Sequence, residues 1–352
     1  MYSGNLYDMG ASYGDNLANP PVFRPKLEFA GDPRKELTGR KVYAPVGIAA
    51  GPLLDSNFIG AAVDMGANIV TYKTVRTQRR ECLAFPNCVF LGPDAAIQPG
   101  GTAVSRNEKS DTITNSFGMP SSDPSVWMPD VAVAQNYVDA RPGRMMIVSV
   151  VGTPSDNPGD AVEYLANDYA RCAAMAKDAG AGIIELNLSC PNVRKDLGAL
   201  YQDENAAAMI ISAARKEIGN EIPLFIKVGY WQNPEVMRAV VSAALKAGVS
   251  GFVGINTISM NVVGADGNPA LPGRLSSGVC GRGIEWYARD WLKSATGLRA
   301  EMKADFVIGA SGGVVDAAGF TDRLSGGADF ALTATGAMLN PNIFAEYFNG
   351  VV

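Results

Sequence analysis

The residues best suited to chemistry in this sequence are a cysteine, two lysines and several asparagines, found where short apolar runs end. The run Gly182–Asn187 leads into Ser189 and Cys190, and two other runs end near Lys73 and Lys227. A cysteine thiolate can act as a general base, and a lysine can bind an anionic group. The chain of 352 residues contains no histidine, which excludes Ser-His and Cys-His nucleophilic pairs and most zinc sites.

Cysteine count and charge narrow the protein class further. The five cysteines form no CxxC pair, which predicts a reducing compartment and neither a disulfide framework nor an iron–sulfur site. A net charge of −5 without a basic run argues against nucleic-acid binding. No apolar window approaches about 18 residues, and no signal peptide is evident. We therefore expect a cytoplasmic protein that does not bind membranes. A structural role is expected for four of the cysteines: Cys82, Cys88, Cys172 and Cys280.

Short apolar runs alternate with stretches of helical length, which is typical of a parallel sheet buried on both faces. We predict eight strands, at Val46–Ala50, Asn68–Lys73, Met146–Val151, Gly182–Asn187, Leu224–Val228, Gly251–Asn256, Phe306–Ala310 and Phe330–Ala334. The predicted helices span 56–66, 160–179, 203–219, 234–247, 283–303 and 315–325. Eight such units predict an α/β fold, the closed (β/α)8 TIM barrel.

Three segments fall outside the βα rhythm. Residues 1–43 are rich in Gly, Pro, Asn and Asp, and we expect an irregular N-terminal segment that precedes a barrel domain over 44–352. A long excursion follows the second strand, spans about 78–130 and includes the run Thr112–Asn115. Loops of this length are usually functional. Residues 258–281 are expected to form a long glycine-rich linker.

In a barrel of this kind the C-terminal strand ends meet at one mouth, where the active site lies. Two lysines, several asparagines and Cys190 fall at these ends, and we expect Cys190 to be catalytic because it lies in a loop and not inside a strand. The last two strands end in glycine-rich turns at Gly312-Gly313 and Gly336. Exposed backbone N–H groups in such turns predict a site for a phosphate-bearing ligand.

Several motifs at barrel-like spacing resemble those of the dihydroorotate dehydrogenase family, in particular its soluble class 1. They are PVGIAAG (45–51), VTYKT (70–74), NSFGMPS (115–121), ELNLSCPN (185–192), PLFIKV (223–228), GINT (254–257), GVCGRG (278–283), GASGG (309–313) and TATGA (333–337). The resemblance implies an FMN-dependent barrel that oxidises (S)-dihydroorotate to orotate in de novo pyrimidine biosynthesis.

The resemblance also implies roles for individual residues. Cys190 corresponds to the base that removes the C5 proton, and the C6 hydride passes to flavin N5. Lys73 corresponds to a catalytic residue that also binds the substrate carboxylate and contacts the cofactor. The other implied substrate-binding residues are Asn115, Phe117, Gly118, Met119, Asn187, Asn192, Asn256 and Thr257. The implied FMN-binding residues are Ala49, Ala50, Gly51, Thr74, Asn187, Lys227, Gly281, Gly312, Gly313, Thr335 and Gly336.

The NSFGMPS loop resembles that of class 1A, which implies a homodimer with fumarate as oxidant. Other functions remain open at this point. The chain could be a flavin enzyme for another dihydropyrimidine, or a flavin-binding relative without turnover. It could also be a lyase barrel with Lys73 or Lys227 as Schiff base. A tRNA dihydrouridine synthase is disfavoured by the acidic charge and the missing histidine.

Overall fold

The computed structural model describes residues 2, 4–92, 95–155, 162–189 and 199–350. The strands of these residues are, in chain order, β1 (Lys35–Leu37), β2 (Arg40–Val42), β3 (Val46–Ile48), β4 (Ile69–Val75), β5 (Cys88–Leu91), β6 (Thr102–Arg106), β7 (Thr112–Asn115), β8 (Met145–Val150), β9 (Ile184–Asn187), β10 (Leu224–Lys227), β11 (Gly251–Gly254), β12 (Ile258–Val263), β13 (Ser276–Gly281), β14 (Val307–Ser311) and β15 (Phe330–Thr333).

The described residues also form ten α-helices, six of which begin at a side-chain cap that the sequence signals locally. They are α1 (Tyr13–Ala18), α2 (Ser56–Asp64), α3 (Pro124–Asp139), α4 (Val162–Asp178), α5 (Glu204–Ile218), α6 (Pro234–Lys246), α7 (Glu285–Met302), α8 (Ala317–Ser325), α9 (Thr335–Leu339) and α10 (Ile343–Gly350), with short 3₁₀ turns at Leu200–Gln202 and Arg282–Ile284. Asp203 caps α5 by accepting from the backbone N–H groups of Asn205 and Ala206 at 2.9 and 3.0 Å. None of these helices is long and apolar enough to cross a membrane.

Eight parallel strands close into the predicted barrel. Their order around it is β3-β4-β8-β9-β10-β11-β14-β15, and β15 pairs back onto β3. Each of the eight predicted runs overlaps one of these strands, and all seven residues of β4 are buried. The (β/α)8 fold is therefore confirmed. Cys172 packs fully buried in α4, as expected from its place in an amphipathic helix.

A second, five-stranded sheet lies at the C-terminal mouth, in the order β12-β13-β7-β5-β6. The excursion supplies β5, β6 and β7. The segment expected to be a glycine-rich linker, 258–281, supplies β12 and β13, so that expectation is wrong. Along β12 buried residues alternate with more exposed ones, the pattern of a strand with one covered face. Its partners in β6 lie more than 150 residues earlier in the chain, which no local pattern indicates.

Two further elements depart from the sequence analysis. Helix α3 fills the second βα unit although no helix was predicted there, because Pro129 interrupts its sequence pattern. The N-terminal segment is more regular than expected, since it contains α1 and the β1–β2 hairpin. Its residues 4–23, called the N-terminal arm below, pack on the domain through Leu6, Tyr7 and Phe23, each less than 5% exposed.

Candidate active site

A pocket opens at the C-terminal ends of the barrel strands and extends to β7 and β13 of the second sheet. Most residues selected from the sequence line it, and these are Ala49, Ala50, Gly51, Lys73, Thr74, Asn115, Phe117, Gly118, Met119, Asn187, Lys227, Asn256, Thr257, Gly281, Gly312, Gly313 and Thr335. Gly336 packs behind the lining, where a Cβ would lie 2.8 Å from the carbonyl oxygen of Val314. Cys190 and Asn192 lie outside the described residues.

Lys227 lies on the barrel side of the pocket, at the end of β10. It is 4% exposed, and its Nζ donates to Ser311 Oγ at 2.8 Å. Ser311 in turn donates to the carbonyl of Ile255 at 2.8 Å. Burial lowers the pKa of Lys227, and the charge of Glu185 opposes that shift. A cation with spare N–H groups is thus fixed in the barrel wall, ready for an electron-rich group.

Lys73 lies across the pocket, in β4, with different surroundings. Its Nζ donates to the carbonyl of Pro120 in the excursion and lies 5.5 Å from the centre of the Tyr13 ring. Burial and then the charge of Arg76 lower the pKa of Lys73 to about 7. An anion bound beside a lysine with this pKa would strongly favour its protonated form.

Three asparagines present amide groups to the pocket, and two of them are joined through one serine. Ser189 donates from its backbone N–H and from Oγ to Asn187 Oδ1, at 3.3 and 3.1 Å. Asn256 Nδ2 donates to Ser189 Oγ at 2.7 Å. Asn115 comes from the second sheet and donates to Cys280 Sγ at 3.3 Å. Each amide offers both donors and an acceptor, which suits a ring with alternating carbonyl and N–H edges.

The loop after Asn115 is held by guanidinium groups outside the pocket. Arg274 Nη1 donates to the carbonyl of Ser116 at 2.8 Å, and Arg76 Nε donates to the carbonyl of Met119 at 3.1 Å. Met119 adopts φ 50°, which is uncommon for a residue other than glycine. Two arginines therefore fix the loop that lies beside Lys73.

The turn after β14 is built from glycines for steric reasons. Gly312 and Gly313 adopt φ of +92° and +74°, and a Cβ on Gly313 would lie 2.5 Å from the Cα of Glu285. Arg323, fully buried, donates to the carbonyl of Gly312 at 3.1 Å from behind. A tight turn backed by a buried cation fits a phosphate group.

The sequence analysis missed pocket residues that come from unexpected segments. Tyr7 and Tyr13 of the N-terminal arm line the pocket, and both rings meet Phe117 edge-on, with centroids 5.9 and 6.5 Å apart. Cys280 also lines it and accepts from Thr335 Oγ1 at 3.4 Å, opposite Asn115. Burial raises the pKa of the Cys280 thiol, in keeping with a structural role. The irregular composition of the arm carries no signal for these contacts.

Comparison with known proteins decides the family. A family model described as dihydroorotate dehydrogenase matches residues 34–350. The chain belongs to the dihydroorotate dehydrogenase family. Dihydroorotate dehydrogenase from Dictyostelium discoideum is 35% identical over 364 residues, which cover 98% of this chain and 96% of that protein. A putative dihydroorotate dehydrogenase A (fumarate) from Aeropyrum pernix is 28% identical over 52% of this chain and 57% of its own length.

A more distant relative is dihydroorotate dehydrogenase (quinone) from Delftia acidovorans, 22% identical over 84% of this chain and 78% of its own length. Dihydroorotate dehydrogenases are flavin-dependent oxidoreductases that act on a CH–CH group, and they oxidise dihydroorotate in pyrimidine biosynthesis.

The pocket fits a flavin nucleotide in three respects. Ala49, Ala50 and Gly51 present a surface of small residues on which a flat ring can pack. Lys227 is a buried cation that would suit the electron-rich edge of such a ring. The Gly312–Gly313 turn suits the phosphate at the far end.

Proposed function

We propose that this chain catalyses the FMN-dependent oxidation of (S)-dihydroorotate to orotate. The observation that carries the proposal is the convergence of Lys73, Lys227, Asn115, Asn187 and Asn256 on one pocket of a dihydroorotate dehydrogenase family member. One cation, Lys73, and the amide groups suit an anionic ring. The second cation, Lys227, suits a cofactor. We also propose a division of the chain into an N-terminal segment, 1–43, and the FMN-binding barrel, 44–352.

On the substrate side, Lys73 and the loop Phe117–Met119 bind the carboxylate. The ammonium and the backbone N–H groups of this loop supply the donors that a carboxylate needs. Asn115, Asn187 and Asn256, with Thr257 beside them, bind the carbonyl and N–H edges of the ring. Asn192 belongs to the same set by its place in the NLSCPN motif. These contacts orient the ring so that C5 can lose its hydrogen as a proton and C6 can lose its hydrogen as a hydride.

On the cofactor side, Lys227 would hold the flavin ring and would offer positive charge where negative charge develops on it, a form of electrostatic catalysis. Thr74, Asn187 and Lys73 would contact the ring, and the backbone N–H groups of the last two turns would bind the phosphate. The remaining members of this set line the cofactor: Ala49, Ala50, Gly51, Gly281, Gly312, Gly313, Thr335 and Gly336. The bound flavin supplies the acceptor for two electrons and one hydrogen, taken as hydride from C6.

Cys190 completes the reaction as the base. Its thiolate takes the proton from C5, so that the substrate loses one proton and one hydride and gains a carbon–carbon double bond. The support for this role is the motif NLSCPN, in which Cys190 follows directly on Ser189. A cationic neighbour would favour the thiolate form of this base.

We further propose that fumarate reoxidises the flavin and that the enzyme works as a cytoplasmic homodimer. Support comes from the NSFGMPS loop, and from the Aeropyrum pernix relative described as a fumarate enzyme. Steady-state turnover with fumarate, quinone and NAD⁺ offered separately tests the oxidant, and sedimentation velocity tests the dimer. Turnover with quinone or NAD⁺ but not with fumarate would reject the proposed oxidant.

The function is tested by adding dihydroorotate to the purified protein in the absence of oxygen. We expect a yellow protein whose visible flavin band bleaches. A yellow protein that stays oxidised would favour another dihydropyrimidine substrate or a relative without turnover. A colourless protein that takes up no FMN would reject the flavin function and leave a lysine-dependent lyase, which borohydride trapping of Lys73 or Lys227 would reveal.

The base is tested by the Cys190→Ser variant. We expect flavin reduction at neutral pH to slow by about 100-fold, because a serine hydroxyl is a far weaker base, while FMN stays bound. Reduction at the wild-type rate would remove Cys190 from the mechanism.

A further inference from the structure

Glu185, in β9, is a buried carboxyl group that the proposed reaction does not use. Its side chain is 1% exposed, and within the described ranges no well-aligned hydrogen bond reaches either carboxyl oxygen, although the Ser149 hydroxyl lies near enough to lower the pKa of the group. Buried carboxylates in proteins are normally paired or hydrogen-bonded, because leaving water is costly for a charge. This exception lies directly below the pocket, since Asn187, two residues further along β9, is part of the lining.

The strand register places Glu185 next to Lys227. Glu185 pairs with Phe225 across β9 and β10, and Asn187 pairs with Lys227. Side chains alternate along a strand, so Phe225 and Lys227 share the face toward the barrel interior, as do Glu185 and Asn187. Lys227 is therefore one pleat nearer the mouth than Glu185, on the adjacent strand.

On its other side Glu185 pairs with Ser149 of β8. Ser149 Oγ is hydrogen-bonded to Thr74 Oγ1 at 3.0 Å, and Thr74 lines the pocket. Polar side chains thus run across the barrel interior from Thr74 to Lys227 and Ser311, and Glu185 is the acidic member among them. Of the charged groups in the described part of the chain, Lys227 is the one that lowers the pKa of Glu185, and the Ser149 hydroxyl on β8 lowers it further by hydrogen bonding.

Each of the two buried groups favours the charged form of the other. Burial raises the pKa of Glu185 and the charge of Lys227 lowers it, while burial lowers the pKa of Lys227 and the charge of Glu185 raises it. A buried pair of this kind adds little stability compared with apolar side chains of similar size. Stability alone therefore gives no reason to place a carboxyl group here.

We propose that Glu185 is a positioning residue that keeps Lys227 protonated, and so sets the positive charge that the barrel presents to a bound flavin. The identity of the bound group rests on the proposed function. The coupling between Glu185 and Lys227 concerns this chain alone and is tested separately.

The coupling is tested by a double-mutant cycle of Glu185→Gln and Lys227→Met in the full chain, with flavin removed from every variant. The readout is the denaturant midpoint of unfolding. We expect each single variant to unfold at a lower denaturant concentration, since it leaves one buried group without its partner. The double variant should recover most of that loss. Losses that simply add would overturn the proposal.

The consequence for the cofactor is tested by the midpoint potential of bound FMN as a function of pH. In Glu185→Gln, Lys227 should lose its proton at a lower pH. Because loss of this positive charge lowers the potential of the flavin, the fall in potential should begin at a pH roughly one unit or more lower than in the wild type. Glu185→Asp keeps a carboxylate and should restore the wild-type profile. In a Lys227→Met background, Glu185→Gln should have no further effect.

The outcomes separate this proposal from the proposed function. A Glu185→Gln profile equal to that of the wild type, or an equal shift in the Lys227→Met background, would overturn a role through Lys227. If the wild-type protein binds no FMN, the proposed function fails, and the unfolding cycle still decides whether Glu185 and Lys227 are coupled.

Discussion

Lys73 and Lys227 lie at equivalent positions, near the C-terminal ends of two barrel strands, yet their neighbours come from different parts of the molecule. Lys227 contacts Ser311 of β14 and is influenced by Glu185 of β9, so the barrel alone builds its surroundings. Lys73 contacts Pro120 of the excursion and Tyr13 of the N-terminal arm. The barrel therefore fixes the proposed cofactor side of the pocket, whereas segments added to the barrel complete the proposed substrate side.

The largest effect that this comparison predicts is on chemistry, from Lys227→Met. We expect the rate of flavin reduction at saturating dihydroorotate to fall by about 100-fold, because a preorganised charge is lost where negative charge develops. Anaerobic stopped-flow measurement of the flavin band gives this rate. The Kd of orotate should change less than about threefold, since no substrate contact is removed. A loss of orotate affinity with unchanged reduction would reverse the assignment of the two sides.

Lys73→Met should have the complementary effect on substrate affinity. We expect the Kd of orotate to rise by about 30-fold, because the buried cation that meets the carboxylate is lost. Titration of the FMN-loaded protein with orotate, followed by the flavin spectrum, measures it. The matched control is Lys26→Met, whose lysine forms an ion pair with Asp64 at 3.0 Å and does not line the pocket. Equal affinities in all three proteins would remove Lys73 from the substrate site.

The pH dependence of orotate binding sharpens the comparison, because the pKa of Lys73 is lowered to about 7. Above that pH the ligand-free lysine is mostly neutral, and binding an anion must take up a proton. We expect affinity to fall up to about tenfold per pH unit above pH 7. Calorimetric titration in buffers of different ionisation enthalpy should detect the uptake. In Lys73→Met the pH dependence of orotate affinity above pH 7 and the proton uptake on binding should both vanish. If they persist, another group is responsible for them.

The same pKa also predicts a stability effect in the protein without ligand. The pKa of Lys73 in the folded chain is lower than its ordinary value of 10.5, so the unfolded chain binds more protons between those two values. The contribution of Lys73 to stability should therefore rise with pH from about 7 to about 10. Denaturant midpoints of wild type and Lys73→Met across this range measure it. Parallel curves for the two proteins would contradict the predicted shift.

The smallest predicted effect concerns the N-terminal arm. Tyr13→Leu should weaken orotate binding by about fivefold, because a ring next to a buried ammonium contributes about 1 kcal/mol. Tyr13→Phe is the matched control, since it keeps the ring and should bind orotate as the wild type does. The same titration serves for both variants. A loss in Tyr13→Phe as large as in Tyr13→Leu would assign the effect to the hydroxyl instead of the ring.

The barrel and most of its mouth could be predicted from the sequence because each βα unit is a local signal. Apolar strand runs, capping residues such as Asp203 and the glycines of the last turns all act within a few residues of their own position. The motifs then supply the order of the strand ends, which the closed barrel brings together. That is why Lys227, Asn187 and Gly313 could be assigned to one pocket before any contact was known.

The second sheet and the N-terminal arm, which pack at the mouth of the barrel, could not be predicted in this way. Thr102–Arg106 pairs with Ile258–Val263, and Tyr13 reaches Lys73 across about 60 residues of chain. Such contacts depend on how separate segments pack. The residue pattern of a short strand or of the arm does not indicate which distant segment it contacts.

The amino-acid sequence by itself determined the eight-stranded barrel, the family motifs and the residue types at the strand ends, because these follow from patterns repeated along neighbouring residues. Only the tertiary structure decided that Glu185 lies beside Lys227, that Cys280 lies between Asn115 and Thr335, and that the N-terminal arm covers Lys73. The physical reason is that burial, electrostatic coupling and ring contacts depend on distance in space, and chain closure brings together residues that the sequence keeps far apart.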